Sequence, residues 1–201
     1  MRKLRIMVSI SAVAVVLATA LVAPSGAGAD DGKGGGDSKR VRILDDCDPA
    51  TFNAVIGPGT CTGDGETTFA DFFAQLVEDG AAEDWEFKPG DFHVNVGDDI
   101  KAVNKGGEFH TFTRVAEFGG GCVPELNEPL GLTPVAECND LVDINGQMVP
   151  KAFVETGVGV GGNLHVHVLD PGTHKYECLI HPWMRAVVEV RSNGDDHEHH
   201  H

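Results

Sequence analysis

The 201 residues carry 31 Asp and Glu against 15 Lys and Arg, a formal net charge of −16. Such a surface excludes nucleic acid and anionic membrane as natural partners, because like charges repel. Hydrophobic residues are 41% of the chain, glycines number 26 and aromatics are only 6%, which excludes a disordered chain and suits short strands joined by turns better than a helical bundle; the length fits one domain with extensions.

Residues 1–29 begin with Arg2, Lys3 and Arg5, run through apolar Ile6 to Val22, and close on Ala27-Gly28-Ala29. This is the pattern of a secretory signal peptide, with cleavage expected after Ala29. The competing reading is an uncleaved anchor, for which the run is near the lower length limit. Cleavage removes three positive charges and no negative ones, taking −16 to −19, and implies a secreted or periplasmic protein with no stable membrane insertion. Residues 30–42, rich in Asp, Gly, Lys and Ser, read as a flexible linker.

Residues 43–84 read as a helical extension. Asp48-Pro49 is a helix start, with Asp as cap and Pro at the first position. Thr68 with Asp71 resembles a capping box and opens a run with Phe69, Phe72, Phe73, Leu76 and Val77 at helical spacing, ended by Gly80.

From Trp85 the period becomes two. Phe92, Val94 and Val96 alternate up to the turn at Gly97-Asp98; Ile100, Val103, Phe112 and Val115 lie on further short strands. An insertion spans Phe118 to Gln147. Leu164, Val166 and Val168 alternate before the Asp170-Pro171-Gly172 turn, and Thr173 to Cys178 and Ala186 to Val190 complete the series. Residues 85–192 are therefore expected to form an all-β, antiparallel sandwich of roughly seven or eight strands. Residues 193–201 are a His-rich tail.

Five cysteines in an exported chain leave at least one unpaired. Cys47 with Cys61 and Cys122 with Cys138 each bracket a short Pro- or Gly-bearing loop, and pairing neighbours closes two loops worth about 3 kcal/mol each. Cys178 is then the free thiol.

Cys178 opens the segment Cys178-Leu179-Ile180-His181-Pro182-Trp183-Met184. Thiolate, imidazole and thioether thus fall within seven residues, between two expected strands. His110, just after the Lys105–Glu108 turn, is the candidate for a second imidazole. Two His and one Cys in a plane with a weak axial Met is a donor set for one copper ion, since soft sulfur favours Cu(I) and imidazole suits both oxidation states.

This segment resembles the copper loop of the cupredoxin (type 1 blue-copper) family. The Cys-x2-His-x2-Met spacing with Pro after the His is most like amicyanin; plastocyanin and pseudoazurin have a longer His-to-Met spacing. The preceding Asp170 to Glu177 strand, Val96-Gly97-Asp98 and Asn104-Lys105 also resemble the family. Phe109 and Thr111 stand where the family often has Pro and Asn. The resemblance covers roughly residues 85–191 and implies a Greek-key sandwich. It implies single-electron transfer between redox proteins by a protein that is not an enzyme, since four protein ligands leave no open position. It implies that His181 lies near the surface, with Leu179, Ile180, Pro182 and Trp183 as an apolar docking patch. A monomer meeting a redox partner, one with a basic surface, is the expected assembly. The alternative is extracytoplasmic copper storage, delivery or scavenging.

Other histidines carry two readings each. His165 and His167 are a solvated strand face or a weak second metal site. His197, His199, His200 and His201 are a disordered end or a loose metal trap. His93 and His174 read as surface residues, and Met148 as core or loop.

Overall fold

The computed structural model describes residues 38–167 and 170–192. The signal-peptide segment, linker residues 30–37 and the tail with His197, His199, His200 and His201 lie outside these.

The elements in chain order are β1 (Ser38–Leu44), α1 (Pro49–Val55), α2 (Phe69–Asp79), β2 (Glu86–Lys88), β3 (Asp91–Asn95), β4 (Asp99–Asn104), β5 (His110–Thr111) and β6 (Thr113–Val115). There follow α3 (Pro124–Asn127), β7 (Leu141–Ile144), β8 (Gln147–Pro150), α4 (Lys151–Glu155), β9 (Gly157–Val158), β10 (Asn163–His167), β11 (Gly172–Glu177) and β12 (Arg185–Arg191). Two four-stranded sheets form the sandwich, in the orders β10-β4-β1-β2 and β3-β12-β11-β6. The β-sandwich with a helical N-terminal extension is thus present. Its sheets are mixed, since β1 runs parallel to β4 and β12 parallel to β3, while the other pairings are antiparallel.

Ser38 to Arg42, expected as linker, are instead the greater part of β1. The strand alternates, with Val41 and Ile43 buried and Arg40 and Arg42 exposed. Its register between β4 and β2 turns two apolar residues into the centre of a sheet. Facing it are Val94, Phe112, Tyr176, Ala186, Val188 and Val190 from the other side of the core. The Phe112 and Tyr176 rings stack at 4.4 Å, and Phe87 meets Phe112 edge-on at 5.1 Å.

The helical extension forms as its caps require. Asp48 accepts hydrogen bonds from Ala50 N and Thr51 N. Thr68 Oγ1 accepts from Asp71 N at 3.2 Å, and Gly80 closes α2 with φ 76°. Of the expected apolar face, Phe72 and Leu76 are buried whereas Phe73 and Val77 are exposed, because α2 rests on the sandwich along one narrow stripe. The Cys47–Cys61 and Cys122–Cys138 disulfides are both formed and Cys178 is free. The second bridge sits in the insertion, beside a β7–β8 hairpin whose Asn145 and Gly146 both have positive φ, as a tight hairpin turn demands.

Candidate metal centre

The two distant stretches meet at one end of the sandwich. His110 heads β5, where it pairs with Val158 of β9. The buried Asn104 amide donates to Glu108 O (2.7 Å) and Val158 O (2.9 Å), and its carbonyl oxygen accepts from Gly106 N, so the turn before His110 is stapled in place. At the other stretch, Cys178 N bonds to Met184 O at 3.0 Å and Met184 N to His181 O at 2.9 Å. The ligand loop is thereby closed on itself between β11 and β12.

Cys178 Sγ lies 3.8 Å from His110 Nδ1 and 3.9 Å from His181 Nδ1, and the two Nδ1 atoms are 3.3 Å apart. All three side chains are buried. Metal–nitrogen bonds of about 2.0–2.1 Å and a metal–thiolate bond of about 2.3 Å, spread trigonally, separate such donors by roughly 3.5–3.8 Å. The donor triangle therefore fits a single transition-metal ion. Met184 is 1% exposed and packs in the same cluster as Cys178.

Thr111 ties the two stretches together. Its N–H points at Cys178 Sγ (3.5 Å), and its Oγ1 accepts from Leu179 N at 2.8 Å. Thr113 Oγ1 in turn donates to Thr111 Oγ1 at 3.0 Å.

Two acidic residues that the sequence marks only as surface charge prove central. Asp45, whose side chain is fully buried, accepts from His110 Nε2 at 2.7 Å. It also accepts from Gly107 N (2.8 Å) and Glu108 N (3.1 Å). With the Nε2 proton held by Asp45, Nδ1 is the nitrogen that turns to a metal once the ring is neutral, so Asp45 fixes the tautomer. Glu108, 4% exposed, accepts from Trp85 Nε1 at 2.7 Å and lies 3.6 Å from His181 Nε2. Gly107 is a glycine because a Cβ there would strike Gly63 of the extension and come within 2.8 Å of Cys47 Sγ.

The charges support one another. Burial alone would lower the His110 pKa, but the Asp45 hydrogen bond and the Cys178 thiolate outweigh it and push it up to about 10. Burial raises Asp45, yet the His110 hydrogen bond and charge hold it at about 2. Burial likewise opposes the Cys178 thiolate, and hydrogen bonds from His110 and His181 bring the thiol well below its usual value. Burial pushes the Glu108 carboxyl up, against the pull of His181. A buried thiolate next to two imidazoles is a preformed metal-binding set.

The expected exposed His181 is not found. His181 is 3% exposed, with Phe72 of α2 at 6.3 Å and Trp183 at 5.5 Å between ring centroids. The apolar docking patch is corrected with it. Leu179 and Pro182 are buried, and Ile180 and Trp183 are half-buried. The physical cause is that the extension lies over the loop on one side, while Cys122 N bonds Leu179 O on the other. His174, expected at the surface, is buried and bonds Asp170 O through Nε2 at 2.8 Å. His165 and His167 are exposed on β10, and His167 Nδ1 pairs with Asp99 at 2.6 Å. Neither joins a group of three or more donors among the described residues. A second close grouping, Asp45, Cys47 and Glu108, offers no thiolate because Cys47 is disulfide-bonded. Met148 is 58% exposed, in the β8 strand rather than the core.

No protein-family model and no curated protein matches the chain. Solved structures do. A novel purple cupredoxin from Nitrosopumilus maritimus is 16% identical, covering 76% of this chain and 99% of that one, with a TM-score of 0.35. A reduced amicyanin variant is 22% identical over 53% of this chain and 73% of its own, with a TM-score of 0.31. A second reduced amicyanin variant is 23% identical over 56% and 84%, with a TM-score of 0.33. At such scores the functional weight rests on the donor geometry described above. Among the described residues no helix is long and apolar enough to cross a membrane.

Proposed function

We propose that this chain is a blue-copper protein of cupredoxin type that carries single electrons between redox proteins outside the cytoplasm and is not itself an enzyme. The observation that carries the reading is the buried triangle of His110 Nδ1, Cys178 Sγ and His181 Nδ1. These three residues would hold the ion, with Met184 as the weak fourth ligand. Bound copper would supply reversible one-electron chemistry between Cu(I) and Cu(II).

The remaining residues prepare that chemistry. Asp45 places negative charge behind the His110 imidazole, which favours the higher oxidation state. Asn104 and Thr111 hold both ligand stretches in one arrangement, so little has to move when an electron arrives or leaves. The thiolate is kept from disulfide exchange by complete burial.

Metal stoichiometry with voltammetry tests the reading. One tightly held copper with a reversible one-electron wave is the expected result. Several exchangeable ions, lost when residues 193–201 are deleted, would instead favour copper storage, delivery or scavenging.

A further inference from the structure

The cap over His181 displaces the place where a partner protein would touch. Phe69, Phe73 and Val77 follow at four-residue steps along α2, and so form one stripe beside the core-facing Phe72 and Leu76. Phe73 is 42% and Val77 60% exposed. Ring contacts run without a break from the buried imidazole to this stripe. His181 lies 6.3 Å from Phe72, Phe72 lies 6.0 Å from Phe69, and Phe69 stacks on Phe73 at 6.4 Å. Electron tunnelling weakens exponentially with the empty gap to be crossed, so these packed rings, with half-buried Trp183 5.5 Å from His181 and 5.8 Å from Phe72 beside them, connect the site to the side that α2 covers.

Charge states what fits there. From Ile43 to Phe87 the sequence holds eleven Asp and Glu and no Lys, Arg or His. Asp71, Glu78, Asp79, Glu83 and Asp84 are exposed. Two copies of this chain would bring like charges together across such a face, whereas a basic partner is drawn in and steered.

We propose that the outer face of α2 is the docking surface for the electron partner, a one-electron metalloprotein with basic residues around an apolar contact. The proposal rests on the copper reading above. One electron passes from the reduced protein to the oxidised metal of the partner, with no bond made or broken and no proton moved.

Stopped-flow mixing of the reduced, copper-loaded full chain with an oxidised basic c-type cytochrome provides the test. Three double variants are compared: Phe73→Ser with Val77→Ser, Glu78→Lys with Asp79→Lys, and, on the exposed β7–β8 hairpin, Ile144→Ser with Met148→Ser. The expected result is a fall in bimolecular rate of about tenfold or more for both α2 variants, with a flatter salt dependence for the lysine pair. The hairpin variant keeps the wild-type rate, and all three keep the wild-type visible spectrum. Wild-type rates in the α2 variants, or an equal fall in the hairpin variant, overturn the proposal. So does a dimer of the wild type that Phe73→Ser with Val77→Ser dissociates in sedimentation, because the face would then belong to a second copy. A wild-type protein without a thiolate-to-copper band fails at the copper reading itself and takes the docking surface with it.

Discussion

Replacing Asp45 by Asn keeps the shape of the side chain and removes its charge. In the native site Oδ2 accepts from His110 Nε2 at 2.7 Å and from Glu108 N at 3.1 Å, while Oδ1 accepts from Gly107 N at 2.8 Å. Every neighbour is a donor, so an amide faces a donor whichever way it turns. With its NH₂ toward His110, the imidazole is driven to carry its proton on Nδ1, the atom needed for the metal. With its NH₂ toward Gly107, a backbone N–H is left unpaired, at about 1–3 kcal/mol. Loss of such a carboxylate partner weakens metal binding about 10–100-fold, or about 1.4–2.7 kcal/mol. Removing negative charge also favours Cu(I), and each tenfold change in relative affinity raises the potential by about 59 mV. Competition with a chelator of known affinity, plus voltammetry, measures both. Wild-type affinity together with a wild-type potential in Asp45→Asn would refute the assignment of Asp45 as the residue that orients His110.

Phe72→Ala removes the ring between His181, Trp85 and Trp183; unfolding should cost about 3–5 kcal/mol less, and copper should leave to a chelator faster, both measurable by denaturant titration and a chelator chase. Replacing Cys47 and Cys61 by Ser opens a loop of sequence separation 14, and about 3 kcal/mol should be lost in thermal or denaturant unfolding, with Cys122–Cys138 intact by mass spectrometry. Metal uptake should release a proton, because the His110 pKa is raised to about 10 in the metal-free site and the ligand must be neutral. Apparent copper affinity should then climb about tenfold per pH unit from the usual imidazole range to about 10. The same raised pKa stabilises the metal-free fold fully below the unfolded value of 6.5, and that contribution fades as pH rises through about 10. Uptake at pH 8 with no proton release, read by a pH indicator, would contradict this.

What was legible in the sequence was local chemistry. Asp48-Pro49, Thr68 and Gly80 act at fixed offsets from the backbone they cap, and both helices formed where those residues stand. The spacing from Cys178 to Met184 keeps those donors on one loop wherever that loop lies. Both disulfides followed from short closures between neighbouring cysteines. What was hidden depends on surfaces far apart in the chain. Ser38 to Arg42 look like a solvated linker because only Val41 is apolar there, and the strand owes its existence to β4 and β2 on its two sides. Asp45 and Glu108 look like any other acids in a chain with 31 of them; their burial follows from ring N–H groups 65 and 23 residues away. His181 was expected at the surface because the resemblance to cupredoxins implies it. Phe72, from a segment more than a hundred residues upstream, does.

The most direct measurement is the visible absorption spectrum of the copper-loaded protein beside its Cys178→Ser and His110→Ala variants. An intense thiolate-to-copper band, abolished in the first variant and displaced or lost in the second, is the predicted result. A pale spectrum in the wild type, or a band indifferent to Cys178, would contradict a metal held jointly by that sulfur and the two imidazoles.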